Sequence, residues 1–219
     1  MHVSPRMAVF TVAGTLAYLG LAAVGEGGLA PFLSHSPLVT LAIVTLALAA
    51  TALFTRGNLS SGEREDRGNR WVLGAFALIG LMLGYAPALS DRLDLFVVDG
   101  ETTRWAGVLI YTVGGVLRIA PVFALGERFS GLAAIQCNHE LVTDGLYRRI
   151  RNPSYLGLLI STLGWALAFR SIIGVLLTAL LIVPLVARMQ AEETLLGERF
   201  GEAYAAYRAR SWRLVPWIY

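Results

Sequence analysis

Residues 71–90 read WVLGAFALIGLMLGYAPALS, twenty consecutive positions without a charged side chain. A helix rises only about 1.5 Å per residue, so about 20 apolar residues are needed to cross the hydrocarbon core of a bilayer. This stretch meets that length. Further apolar runs lie over residues 7–24, 38–55, 105–126, 154–169 and 171–187. The bulk composition agrees. Hydrophobic residues make up 56% and charged residues only 15%, where a soluble domain carries about a quarter charged. Mean hydropathy is +0.61. The fold class expected is therefore all-α, a polytopic integral membrane protein with about six transmembrane helices. The last two runs are short and separated only by Arg170 and Ser171, which predicts a tight helical hairpin. Arg6 precedes the first run, but no clear cleavage site follows it, so that run is expected to stay as a span.

The basic residues fix an orientation. All 18 are arginine, and the net charge of +3 is too small and too dispersed to suggest nucleic-acid binding. Six crossings with the N-terminus inside place Arg6, Arg56, Arg64, Arg67, Arg70, Arg128, Arg148, Arg149, Arg151 and the arginines from Arg188 onward in the cytoplasm. Arg92, Arg104 and Arg170 fall outside, among Asp91, Asp94, Asp99 and Glu101. That is the positive-inside pattern, and five crossings break it. The arginine-only basic set hints at a high-GC genome and a bacterial inner membrane. A single cysteine, Cys137, excludes an intrachain disulfide and a multi-cysteine metal site.

Two polar segments hold the unusual side chains. In the first, residues 136–155, Asp144-Gly145 reads as a turn, Asn152 as a helix N-cap and Pro153 as the first helical position. A helix N-terminus at the membrane surface attracts a carboxylate through its partial positive charge. Such a start is also an ordinary structural feature. In the second, Arg188 and Glu192 are one helical turn apart at the mouth of the last apolar run. They read either as a surface ion pair or as groups facing a polar cavity. The segment from Arg188 onward is too charged to span. Leu195, Leu196, Phe200, Tyr204 and Tyr207 give it one apolar face at helical spacing, so it should form a cytoplasmic C-terminal helix packed on the first polar segment. Residues 56–70, RGNLSSGEREDRGNR, read as a solvated connection.

The run LVTDGLYRRIRNPSYLG, the hairpin, and then EETLLGERFGEAYAAY resemble the isoprenylcysteine carboxyl methyltransferase and phospholipid methyltransferase family. The resemblance covers Gln136 to the end and divides the chain into a membrane bundle, 1–126, and a methyltransferase core, 127–219. It implies S-adenosylmethionine as cofactor and S-adenosylhomocysteine as product. It places cofactor contacts at Gln136, His139, Glu140, Leu141, Val142, Tyr147, Asn152, Pro153, Ser154, Tyr155 and Glu192. Arg188 corresponds to the arginine that contacts the substrate. The family's Arg-His-Pro is here Arg151-Asn152-Pro153, and asparagine cannot carry the charge a histidine can.

The chemistry fits such a ligand. Glu192 offers a counter-charge for an ammonium, the helix start at Asn152 suits a carboxylate, and Tyr147, Tyr155, Leu141 and Val142 can wall an adenine or thioether. Tyr155 reads equally as an interfacial anchor. A sulfonium is already a good leaving group, so no metal is implied. A carboxylate acceptor needs no general base, and Arg188 can grip it; an amine acceptor needs a base and is repelled by Arg188. The favoured activity is thus O-methyl transfer to an isoprenylcysteine-like or isoprenoid carboxylate on a lipophilic or lipidated substrate entering from the lipid bilayer. Phospholipid amine N-methylation, an NADPH-dependent sterol or lipid reductase, and a non-catalytic protein of the same fold are the alternatives. Arg118 lies inside the fourth run, where a cation is costly, and reads as a cavity-wall residue that contacts substrate or as a structural pair. Nothing in the sequence points to an oligomeric state.

Overall fold

The computed structural model describes residues 5–54, 64–65, 67–125, 134–135 and 141–219. The helices are α1 (Pro5–Gly25), α2 (Leu29–Ser34), α3 (Ser36–Ala52), α4 (Trp71–Arg92), α5 (Glu101–Leu125), α6 (Pro153–Ala168), α7 (Ile172–Leu180), α8 (Ile182–Phe200) and α9 (Glu202–Ala209). A two-residue antiparallel pairing joins β1 (Arg64–Glu65) to β2 (Ala134–Ile135). Within the described residues, each apolar run read from the sequence is mainly helical, the last of them divided between α7 and α8. Four helical stretches are long and apolar enough to cross a membrane: Ala8–Gly25, Gly68–Arg92, Glu101–Phe123 and Ile172–Phe200. The shorter α3 and α6 have 17 and 16 residues. Large apolar side chains face outward along the helices, with Phe10, Ile43, Leu78, Leu109, Val113, Leu176 and Val183 all exposed. Such surface is tolerable in lipid and not in water.

The hairpin forms, but its second arm continues past the membrane. Between α6 and α7 the chain reverses at Arg170 (φ +53°), and the Ser171 hydroxyl caps α7 by accepting from the Gly174 N–H at 3.1 Å. The α7–α8 junction at Leu181 has a local cause: Pro184 has no N–H to donate to the carbonyl of Leu180. Helix α8 then carries Arg188 through to Phe200, so the charged tail is a continuation of the last apolar helix rather than a separate surface helix. It ends at Gly201 (φ +50°), where α9 begins in a new direction.

Helices α5 and α6 pack backbone to backbone. Gly107 and Gly114 on α5, seven apart, face Gly164 and Gly157 on α6, also seven apart. A β-carbon at Gly107 would overlap the main chain of Ala168, at Gly114 that of Ser161, at Gly164 that of Tyr111, and at Gly157 that of Arg118. Small residues permit this approach, and in lipid the resulting van der Waals contact is a main source of helix association. Above the seam sits Trp165, with Tyr18, Tyr111 and Phe169 rings centred 4.8, 5.7 and 5.2 Å away. Its indole N–H donates to the Leu83 carbonyl at 2.9 Å.

At the end of the bundle holding the α4–α5 and α6–α7 turns, the charges satisfy one another. Buried Asp91 accepts from Arg104 through both carboxylate oxygens, at 2.5 and 3.0 Å, and from Arg170 Nε at 2.8 Å. Arg170 also reaches Asp94 at 3.3 Å and Asp99 at 3.5 Å. Glu26, just beyond α1, is buried against the same cluster, and its Oε1 has no hydrogen-bond partner. Burial first, and then the neighbouring Asp91 carboxylate, push its pKa up to about 8.

Two predictions follow from these contacts. Gly164→Leu should prise α5 from α6 and lower stability by at least about 1–3 kcal/mol, the usual cost of overpacking, read as a drop in melting temperature in detergent. A carboxyl whose pKa is raised from 4.5 to about 8 on folding binds its proton more tightly in the folded state. Its stabilisation is complete below the unfolded value and declines as pH rises through the folded one. Glu26→Gln should therefore flatten the fall in melting temperature between those two pH values.

Candidate active site

Three strands of evidence place the polar segments against each other: main-chain pairing, a buried carboxylate, and a tyrosine hydroxyl. Residues 149–151 run beside Trp212, with the Trp212 N–H donating to the Arg149 carbonyl and the Arg151 N–H to the Trp212 carbonyl, both at 2.8 Å. Glu193 of α8 is buried between two guanidinium groups. Arg151 Nε donates to its Oε1 at 3.0 Å, and Arg213 donates to Oε1 at 3.1 Å and Oε2 at 2.5 Å. The Tyr207 hydroxyl donates to the Tyr147 carbonyl at 2.7 Å. Leu195, Tyr204 and Tyr207 of the expected apolar face are buried.

On this frame sits a second polar group. Tyr155, in the first turn of α6, donates from its hydroxyl to Glu192 Oε1 at 2.7 Å. Arg188 Nε lies 2.7 Å from the same oxygen and 3.2 Å from the tyrosine oxygen. Arg188 is only 3% exposed, while the Glu192 side chain keeps 25%. The pair is thus largely buried, and the surface-ion-pair alternative does not describe it. Tyr147 is buried within electrostatic range of Glu192, and burial raises its phenol above the ordinary range. Leu141 and Val142 are half-buried at the edge of the segment.

Asn152 departs from expectation. It occupies the N-cap position of α6, but its side chain makes no cap; the amide Nδ2 instead donates to the Arg213 carbonyl at 3.0 Å. Pro153 at the first helical position has no N–H to satisfy. The Ser154 hydroxyl donates to the Arg118 carbonyl at 3.0 Å, tying α6 to α5 next to Gly157. The Arg118 side chain is accessible, with the hydroxyls of Tyr18, Tyr111 and Tyr155 within electrostatic range. Gln136, His139 and Glu140, together with Cys137, lie outside the described residues. Among the described residues no group of three or more His, Cys, Asp or Glu side chains is arranged to hold a metal ion.

Sequence reasoning missed Glu193, Arg151 and Arg213 as a unit. The available signal was the doubled Glu192-Glu193: on a helix, adjacent residues point about 100° apart, so the two carboxylates cannot share one task. The 56–70 segment is also more than a connection. The buried Asn69 amide donates to the Ala187 carbonyl at 3.1 Å, one residue before Arg188.

Fold and site together define a helical membrane protein with a largely buried polar cluster, Arg188, Glu192 and Tyr155, between the start of α6 and α8. The phospholipid methyltransferase family profile matches residues 102–203. Protein-S-isoprenylcysteine O-methyltransferase of Schizosaccharomyces pombe is 34% identical over 109 residues, covering 48% of this chain and 46% of that protein. Protein-S-isoprenylcysteine O-methyltransferase A of Arabidopsis thaliana is 31% identical over 132 residues, covering 57% of this chain and 67% of that protein. The chain thus spans about half to two thirds of the length of these relatives. A solved eukaryotic intramembrane Ras methyltransferase, isoprenylcysteine carboxyl methyltransferase, superposes with a TM-score of 0.59 over 95% of this chain and 77% of that one, at 20% identity, and shares the fold. The chain belongs to this family of membrane methyltransferases.

The Glu193 node makes a further prediction. Glu193→Ala leaves two guanidinium groups without their carboxylate, and breaking a buried pair costs about 3–5 kcal/mol. Faster limited proteolysis within residues 201–219, together with a lower melting temperature, is the expected outcome. An unchanged cleavage pattern would show that the clasp is held by other contacts.

Proposed function

We propose that this chain is an integral membrane methyltransferase that uses S-adenosylmethionine to methylate the carboxylate of a lipophilic, isoprenylcysteine-like or isoprenoid acceptor. The observation that carries this reading is the convergence of Glu192, Arg188 and Tyr155 at the start of α6, with Arg118 within electrostatic range of Tyr155. The donor set suits the cofactor. Glu192, partly accessible, gives a carboxylate for the ammonium, and the N-terminal turn of α6 at Asn152-Pro153-Ser154, which has no side-chain cap, gives a positive dipole end for the carboxylate. Tyr147, Leu141 and Val142 supply an apolar wall. Gln136, His139 and Glu140 complete the contact set, and residues 127–219 form the catalytic unit carried by the bundle of 1–126.

When bound, S-adenosylmethionine supplies a methyl group on a sulfonium, an electrophile strong enough to need no metal. The protein's own task is then to bind, orient and exclude water. Arg188 is the residue assigned to catalysis. Its guanidinium is anchored by Glu192 and Tyr155 through Nε, which restricts the plane of the fork. Arg118 is the second cation for the acceptor carboxylate, reached from the lipid side. Both arginines are adverse to an ammonium, which disfavours an aminophospholipid. The positive-inside bias supports a cytoplasmic side for this end of the bundle and both termini, and the lysine-free composition is in keeping with a bacterial inner membrane.

Calorimetry on the detergent-purified protein tests the reading directly. S-adenosylmethionine and S-adenosylhomocysteine should bind and NADPH should not. Glu192→Ala should weaken S-adenosylhomocysteine by at least about tenfold, the scale of one lost charge-assisted hydrogen bond. Unaltered affinity in that variant would remove Glu192 from the site, and NADPH binding would replace methyl transfer with reduction.

A further inference from the structure

The segment 210–219 carries a surface that neither the Arg188 cluster nor the bundle uses. Trp217 and Ile218 are each 80% exposed, and Trp212, 39% exposed, has its ring 6.4 Å from that of Trp217. The indole of Trp217 is held out by a closed turn. The Leu214 N–H donates to the Tyr219 carbonyl at 2.8 Å and the Tyr219 N–H to the Val215 carbonyl at 3.0 Å, with Trp217 at φ +65°, a left-handed backbone that bulky residues seldom adopt. Beside it, the pairing of Ile150 with Trp212 aligns two arginine-bearing strands, and Arg148, Arg149 and Arg210 are all exposed. Glu193, the carboxylate that reaches this strand pair, is taken up by Arg151 and Arg213.

The depth of this surface follows from its attachment. Asn152, immediately before the apolar helix α6, donates to the Arg213 carbonyl at 3.0 Å. The strand pair therefore lies where the chain enters the hydrocarbon, at headgroup level. Tryptophan favours that zone because its ring is apolar and its N–H seeks a wet partner, and clustered arginines there attract anionic lipid. We propose that Arg148, Arg149, Arg210, Trp212, Trp217 and Ile218 form a docking surface for the anionic headgroups of the surrounding bilayer. A purely aqueous face would leave Trp217 and Ile218 together in water, and an apolar protein partner would not call for three exposed cations at its rim.

Quenching of Trp217 tests this. The full chain is reconstituted in nanodiscs of phosphatidylcholine, with and without phosphatidylglycerol, using lipids brominated near the headgroup end of the acyl chain. The Trp217 component is the difference between the natural chain and Trp217→Phe. It should be blue-shifted and quenched by bromine, more strongly with phosphatidylglycerol, and the extra quenching should vanish in the triple variant Arg148→Gln, Arg149→Gln, Arg210→Gln. All three side chains are exposed, so the variant should keep its melting temperature in phosphatidylcholine; if it does not, the three single variants give the same readout. Quenching by acrylamide in place of bromolipid puts the segment in water and overturns the proposal. Equal quenching in both bilayers, indifferent to the arginines, overturns the headgroup assignment.

Discussion

Contact between the backbones of α5 and α6 is the constraint from which the rest of the arrangement follows. Four glycines let two helices approach until main chain meets main chain, and the approach fixes both distance and register. Register matters more than energy here. Gly157 lies against the backbone of Arg118, and Ser154, one turn earlier, bonds the Arg118 carbonyl. A slide of one residue along either helix would turn Arg118 away from the start of α6. In lipid, where apolar side chains gain little from leaving their surroundings, close packing is the interaction left to set such a register.

Helix α6 is also held at both ends by the same device, a buried carboxylate between two arginines. Past its last turn, Arg170 shares Asp91 with Arg104 of α5. Before its first, Arg151 shares Glu193 with Arg213. In each node one arginine flanks α6 directly and the carboxylate comes from a neighbouring helix, α4 or α8. The helix that presents Tyr155 and the Asn152 end is thereby the most constrained element of the chain, which suits a site whose contribution is positioning.

Much of this was legible in the sequence, for identifiable reasons. Hydrocarbon thickness is a one-dimensional constraint, so the six apolar runs declared themselves, and the turn at Arg170-Ser171 stood out because nothing else separates two of them. The pairing of Arg188 with Glu192 is likewise local, one turn of one helix. The juxtaposition of the polar segments was expected and is realised through Tyr207 and Tyr147. What escaped detection is non-local. Asn152 has the chemistry of an N-cap, and only the folded chain reveals an acceptor sixty-one positions on that competes for its amide. The glycine seam is split between two helices in a chain with 23 glycines, so its spacing does not stand out. Asn69 lay in a segment whose composition is that of a solvated loop, and its partner is a helix carbonyl far along the chain.

The two ion nodes are not equivalent, and the difference separates scaffold from function. Buried ion pairs are weak evidence of stability, because desolvating the charges offsets most of their attraction; their value lies in geometry. Asp91 sits in a cluster that also buries Glu26, whose Oε1 finds no partner, an imperfect arrangement that costs stability. Glu193 likewise has both oxygens bonded, and its arginines are further engaged by carbonyls of residues 208 and 211 and by the ring of Tyr219, 5.0 Å from the Arg213 guanidinium. The Glu193 node is the one beside the Arg188 cluster. Adjacent on the same helix, Glu192 remains partly open and bonded to Tyr155 and Arg188. Of two neighbouring glutamates, one is spent on holding the site together, and that is what leaves the other placed and available for a ligand.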